Sequence, residues 1–198
     1  MPLPRVYRLC RALALLFVLC LVTAALPVQA RVITDMSGRH VSIPDTITKV
    51  VGVSPPATYL LYAIDPSLLA GLNFPLYESE KKYTVPAYRN LPVIGGMAGQ
   101  GRTLNPEVLL QVKPDLLLFW SWRDDATNRK FLDSMASNPF PVVALRMDTI
   151  TDYPAALAFA GELLGRKERA ETLRSYAQQA IDEARNISAT ITEADKVR

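Results

Sequence analysis

Apolar and polar positions fall into short alternating blocks along this chain. Val32-Ile33-Thr34 and His40-Val41-Ser42-Ile43 flank a polar turn over 35–39 that contains Gly38, which predicts a short β-hairpin. Lys49-Val50-Val51-Gly52-Val53 predicts a buried strand. Ser54-Pro55-Pro56 ends it, and 57–64 reads as a helix. A second strand is predicted over 68–72. Residues 73–92 form a long aromatic, proline-containing stretch with Phe74, Tyr77, Tyr83 and Tyr88, and 91–94 leads into the glycine-rich 95–101. Asn105-Pro106-Glu107 predicts a helix start: Asn caps, Pro fits the first turn, and Glu faces the positive helix end. Lys113-Pro114 stops that helix. A third buried strand over 115–120, a helix over 126–136, a strand over 141–145 and a helix from Asp152-Tyr153-Pro154 to Gly165 follow.

Strands alternate with helices, and the strands are apolar on both faces. The fold class predicted is therefore α/β, a parallel sheet flanked by helices. Ligands of such sheets sit at the carboxyl ends of the strands. Those ends are Ser54-Pro55-Pro56, residues 73–77, Ser121-Trp122-Arg123 and Arg146-Met147-Asp148. From Arg166 onward there is no Pro or Gly. Ala170, Leu173, Ala177, Ala180, Ala184, Ile187 and Ile191 recur at three- and four-residue steps, which predicts one long helix of about 40 Å. A coiled coil is the alternative, but an alanine-rich seam provides little knob volume. The stripe suits a helix lying close against a globular surface.

The first thirty residues have a different character. Arg5, Arg8 and Arg11 precede an apolar run over 12–26, and Val28-Gln29-Ala30 is a small-residue exit. That order predicts a secretory signal cleaved after Ala30, because the run is short for a membrane span of about 20 residues. Both cysteines of the chain, Cys10 and Cys20, fall inside it, so no disulfide or thiol chemistry is expected beyond it. Leu19 before Cys20 argues against a lipoprotein anchor. Removing the three arginines from the 22 basic residues leaves a number equal to the 19 acidic ones. No nucleic-acid or anionic-membrane partner is therefore expected.

Candidate chemistry is sparse. Gly96-Met97-Ala98-Gly99-Gln100-Gly101-Arg102-Thr103 approaches a phosphate-loop pattern, with Arg where Lys belongs and the helix starting three residues late. A loop over a ligand cleft, with Gln100 available to a ligand, is the reading adopted. His40 is the sole histidine and lies in the hairpin, so neither a metal cluster nor a Ser-His-acid triad is expected. Trp120, Trp122 and Arg123 follow the third strand, and Arg146 ends the next. Rings and guanidinium groups there suit a flat or anionic ligand, although Trp120 also fits a partly core position. Ser54, Phe74 and Tyr77 sit at neighbouring strand ends. Tyr77, Tyr83 and Tyr88 could include a phenolate ligand to a metal or haem, although most loop tyrosines simply pack.

In order and spacing, these segments resemble the periplasmic substrate-binding proteins of ABC importers for iron–siderophore complexes, haem and cobalamin. The residues that carry the resemblance are Ile33-Thr34-Asp35-Met36-Ser37-Gly38-Arg39, Val50 to Val53 with Ser54-Pro55 and Ala57-Thr58, and Asn105-Pro106-Glu107 through Lys113-Pro114-Asp115-Leu116-Leu117. The resemblance implies one lobe of a bilobal binding protein over 31–165 and a long backbone helix that joins the lobes over 166–198. The second lobe is absent, so the chain is expected to be a fragment or an early-terminated chain. It further implies that Glu107 docks onto arginines of a membrane permease served by an ATPase. Trp120 falls where cobalamin-binding relatives place an aromatic contact, but the loop 95–101 lacks the tryptophan that those relatives carry. The function expected is capture of an iron complex, a ferric siderophore or haem, by a periplasmic monomer without a cofactor or catalysis. Cobalamin or an oxyanion such as molybdate is the alternative cargo, and an extracytoplasmic hydrolase is the alternative of another class.

Overall fold

The computed structural model describes residues 30–97, 103–121, 126–135 and 137–191. The expected leader lies outside the described residues apart from Ala30. Strands β1 (Ala30–Thr34) and β2 (His40–Pro44) form the two-stranded hairpin. Strands β3 (Val50–Gly52), β4 (Leu116–Ser121) and β5 (Val142–Arg146) form a parallel sheet in the order β3-β4-β5. Val51 lies opposite Leu117, and Leu118 opposite Val143.

The two-residue period of the strands divides their side chains between two cores. Val50, Leu116, Leu118, Val143 and Leu145 face one cluster. Helices α1 (Pro55–Ile64) and, further along, Tyr153–Leu164 cover it through Leu60, Leu61, Ala156 and Ala160. Val51, Leu117, Phe119 and Ala144 face the other cluster. There Leu109 and Phe131 cover the sheet, from Pro106–Val112 and Ala126–Ser134 respectively. Phe119 and Phe131 stack with centroids 4.8 Å apart. Helices on both faces explain why these strands read as unbroken apolar runs.

The expected strand over 68–72 is not regular. Pro66–Leu68 is a 3-10 turn, capped by Asp65, whose side chain accepts from Ser67 N at 2.9 Å. Beyond it the chain meets the sheet through one parallel bridge, Val50 with Leu69, and a second bridge pairs Leu72 with Val93 outside the sheet. The aromatic stretch contains two single-turn helices, α2 (Glu78–Lys81) and α3 (Pro86–Arg89). The remaining helices are α4 (Pro106–Val112), α5 (Ala126–Ser134), α6 (Tyr153–Leu164) and α7 (Lys167–Thr190).

Asp35 staples the hairpin to the sheet. Its buried carboxylate accepts from Ser37 N, Arg39 N, the Arg39 guanidinium at 2.6 Å and Ala144 N of β5 at 3.1 Å. Arg39 also donates to Val142 O. A carboxylate taken from water this fully persists only because every direction around it is filled by a donor.

Helix α7 runs about 36 Å at about 1.5 Å per residue. It packs on α6, where Gly161 lets Ala170 approach: a Cβ added at Gly161 would lie 2.4 Å from the Ala170 Cβ. Ala170 and Ile181 are its buried residues. The predicted stripe continued through Ala180, which is exposed. At about 100° per residue a straight helix returns to its starting face after eleven residues. That brings Ile181 under Ala170 and turns Ala180 outward.

Candidate functional site

The carboxyl end of β3 is shaped by Gly52, Thr58 and Asn73. A Cβ at Gly52 would lie 2.4 Å from Thr58 Oγ1 and 2.6 Å from Thr58 N, so only glycine lets α1 start this close to the strand. Thr58 Oγ1 donates to Asn73 Oδ1 at 2.7 Å, the Asn73 amide donates to Gly52 O at 2.8 Å, and it also donates to Gly95 O at 3.0 Å. Asn73 is buried and ties three chain segments together at the strand ends. Met97 N donates to Val53 O at 2.8 Å, Leu104 N to Gly96 O at 2.9 Å and Asn105 N to Ile94 O at 2.8 Å. The glycine pair at 95–96 thus closes onto the sheet and does not open a helix, unlike a phosphate loop.

Beside this knot lies a cleft of about 680 Å³, between α1 and residues 72–88. Six aromatic rings line it: Tyr59, Tyr62, Phe74, Tyr77, Tyr83 and Tyr88. Tyr62 and Tyr88 meet edge to face with centroids 4.9 Å apart, and Tyr62 Oη accepts from Val85 N at 3.0 Å. Tyr88 forms the floor, at 6 % exposure, whereas Tyr59, Tyr77 and Tyr83 stand exposed at the mouth. Burial pushes the Tyr88 phenol up to about 12, with Tyr59, Tyr62 and Glu80 adding to the shift. Tyr88 is therefore a neutral phenol at ordinary pH, which makes it a poor phenolate ligand. Glu80 is the one charged residue among the described lining. One of its oxygens, Oε2, accepts from Tyr77 N at 2.7 Å.

The expected site residues occupy different parts of this edge. Phe74 and Tyr77 line the cleft. Ser54 caps α1, fully buried, and its Oγ has no partner among the described residues. Arg146 ends β5, three strand positions from residue 72, or about 14 Å away. Its buried Nε has no partner among the described residues. Trp120 is half-buried against the cluster that α1 and α6 cover, following Leu116 and Leu118 on that face. Trp122, Arg123 and Gln100 lie outside the described residues. Glu107 is exposed at the start of α4, where Asn105 Oδ1 accepts from Glu107 N at 3.0 Å and Val108 N at 3.2 Å. His40 is exposed, with Nδ1 3.2 Å from Thr34 Oγ1.

Sequence reasoning missed Tyr59, Tyr62 and Thr58, and held Asn73 only as part of the strand-end segment 73–77, without its bonding role. The pair Tyr59 and Tyr62 are three residues apart on a helix, hence on one face, and that spacing was the available signal. Among the described residues no cluster of three or more His, Cys, Asp or Glu is placed to hold a metal ion, and no helix is long and apolar enough to cross a membrane.

No protein-family profile matches the chain. It is 30% identical over 137 residues to the Vitamin B12-binding protein of Pectobacterium atrosepticum, a match that covers 68% of this chain and 44% of that protein. The chain spans about half the length of the curated relatives it matches. An ABC transporter solute binding protein from Sulfurospirillum deleyianum superposes with a TM-score of 0.76 at 28% identity, over 84% of this chain and 52% of that one. The molybdate periplasmic binding protein MolA of Haemophilus influenzae superposes at 0.63 and 18% identity, over 85% and 56%, a likeness of fold alone.

Proposed function

We propose, from the premise that this chain belongs with the periplasmic binding proteins serving ABC importers for iron complexes, haem and cobalamin and has the fold of a lobe of such a protein, that it is the first lobe of a solute-capturing component of such an importer. The cargo is an iron complex, a ferric siderophore or haem. The observation that carries this reading is the cleft of about 680 Å³ whose described walls hold six aromatic rings and one charge. Cofactor-sized pockets run to about 300–1,000 Å³ and are mostly apolar with a few placed polar groups. Phe74, Tyr77, Tyr59 and Tyr62 supply ring contact, while Ser54, Trp120 and Arg146 belong to the remainder of the strand-end surface; Trp122, Arg123 and Gln100, outside the described residues, complete the contact set of this reading. No bond in the cargo needs to break; the work is capture and release.

A corrinoid is the second reading, favoured by the 30% identical relative named a Vitamin B12-binding protein. A bare oxyanion is disfavoured. Tetrahedral anions are held by helix N-terminal amides, and Pro55 and Pro56 leave the first two positions of α1 without an N–H. Loaded protein is delivered to a membrane permease through Glu107, beside the exposed Leu110 on the same short helix. The chain works as a monomer in the periplasm after removal of a leader ending at Ala30. Residues 31–165 act as a lobe, and the helix Lys167–Thr190, which ends before the extended Ile191 and so is shorter than the 166–198 expected, leads toward a second lobe.

Equilibrium binding to the purified chain tests this. Haemin, a ferric hydroxamate chelate and cyanocobalamin are titrated while protein fluorescence is read. One of them is expected to saturate at one equivalent, with affinity falling about tenfold or more in a Tyr59→Ala, Phe74→Ala double variant. Saturation indifferent to both substitutions, or no saturation by any of the three, contradicts the proposal.

A further inference from the structure

The tyrosine cleft has a charge character as well as a shape. Its described lining holds five tyrosines, one phenylalanine and one carboxylate, with no lysine or arginine. Aromatic faces carry negative quadrupole charge, and a cation placed over them is attracted without a formal counterion. Glu80 adds a full negative charge at the wall. Its Oε2 is engaged by a backbone amide, and no cationic side chain pairs with it among the described residues. The neighbouring Lys81 is instead paired with Glu78. The chain itself places a cation on this surface: Lys82 Nζ stands 4.8 Å from the centroid of the Tyr83 ring.

We infer that this cleft receives a cationic apolar group, an organic cation or the positively charged apolar face of a metal complex, and not an anion. Desolvation is the reason for the sign. An anion entering the cleft would give up its hydration to face ring quadrupoles and the Glu80 carboxylate, both repulsive, with no lysine or arginine among the described lining, Lys82 standing over the exposed Tyr83 ring at the mouth. A cation would exchange hydration for the exposed rings of Tyr59, Phe74 and Tyr77 and one carboxylate. The phenol of Tyr88 stays protonated, so the floor offers a neutral ring. Any anionic part of the same cargo would lie toward Arg146 at the far end of the strand edge.

This inference rests on the import reading only in taking the cleft as part of the cargo site, and the test keeps the two apart. Tetraphenylphosphonium and tetraphenylborate have closely matched size and apolar surface but opposite charge. Each is titrated calorimetrically into the full chain. The phosphonium is expected to bind at least about tenfold more tightly than the borate. That preference should shrink several-fold in Glu80→Gln, which keeps an acceptor for Tyr77 N. It should also shrink in Tyr59→Leu, which keeps apolar bulk but removes an exposed ring. Tighter binding of the borate, equal binding of both ions or an unchanged preference in both variants overturns the assignment and leaves solute capture standing. Failure of both ions to bind overturns the cleft as a site for apolar ions, whatever the three cargo titrations show.

Discussion

Asn73 and Asp115 show how single polar side chains set this fold. Asn73 bonds Gly52 O and Gly95 O and accepts from Thr58, so a strand end, a helix and a loop meet on one amide. Asp115 does the same at the opposite, amino end of the sheet. Its Oδ2 accepts from Thr48 N at 2.6 Å, Thr48 Oγ1 at 2.9 Å and Lys49 N at 2.8 Å. Burial acts to raise the Asp115 carboxyl, but these hydrogen bonds and the Lys49 charge outweigh it and hold the group below its ordinary 3.8. Asp65 behaves alike: burial raises it, and hydrogen bonds from Ser67 and Arg166, the latter at 2.6 Å, bring it below 3.8. Groups with a lowered folded-state pKa contribute stability that is fully present above the unfolded value and is lost as pH falls through the folded one. Urea melts should therefore separate native protein from Asp115→Asn at pH 7. The gap should narrow once pH falls below about 4, where the unfolded carboxyl protonates. A gap that is constant from pH 7 to pH 2 would contradict this account of Asp115.

At the scale of elements, the contact between α6 and α7 depends on the absence of one methyl group. Glycine inside a helix normally costs about 1 kcal/mol against alanine, so Gly161→Ala would stabilise an isolated α6. Here the added Cβ would meet the Ala170 Cβ at 2.4 Å, and overpacking costs about 1–3 kcal/mol. The clash wins: Gly161→Ala is expected to lower the melting temperature by several degrees, and Ala170→Gly in the same chain should restore part of the loss. A rise in melting temperature on Gly161→Ala alone would mean that α7 is free to shift.

The same scale shows what could be read without coordinates. The hairpin, β3–β5, α4 and α6 announce themselves through local chemistry: a glycine turn, two-sided apolar runs, an Asn-Pro-Glu start and the left-handed Gly165 stop. Helices α2 and α3 do not, because four residues are too few to show a 3.6-residue period. Tyr59 and Tyr62 count as ordinary core candidates inside an apolar helix, and only the fold reveals that residues 73–88 leave a cleft above them. Asn73 is invisible locally, because its partners lie 15 to 22 residues away. On α7, counting by threes and fours selected Ala180, while the continuous turn of the helix selects Ile181.

On the scale of the whole molecule, the sheet edge forms a graded surface. Its tyrosine end, with Glu80, lies next to residues 72–74, and its Arg146 end lies three strand positions away. Such a gradient orients an asymmetric cargo before any contact becomes tight. The relatives and the fold support the proposed solute binding, and the aromatic cleft is the place proposed for it. Amide hydrogen exchange of the full chain with and without a saturating cargo from the three titrated tests that placement most directly. Ordering of the cleft is predicted to slow exchange over 58–62 and 73–88 while leaving the outer half of α7, from residue 182 to 190, unchanged. Slowing confined to segments away from the cleft, with residues 73–88 exchanging as in the free protein, would contradict the account.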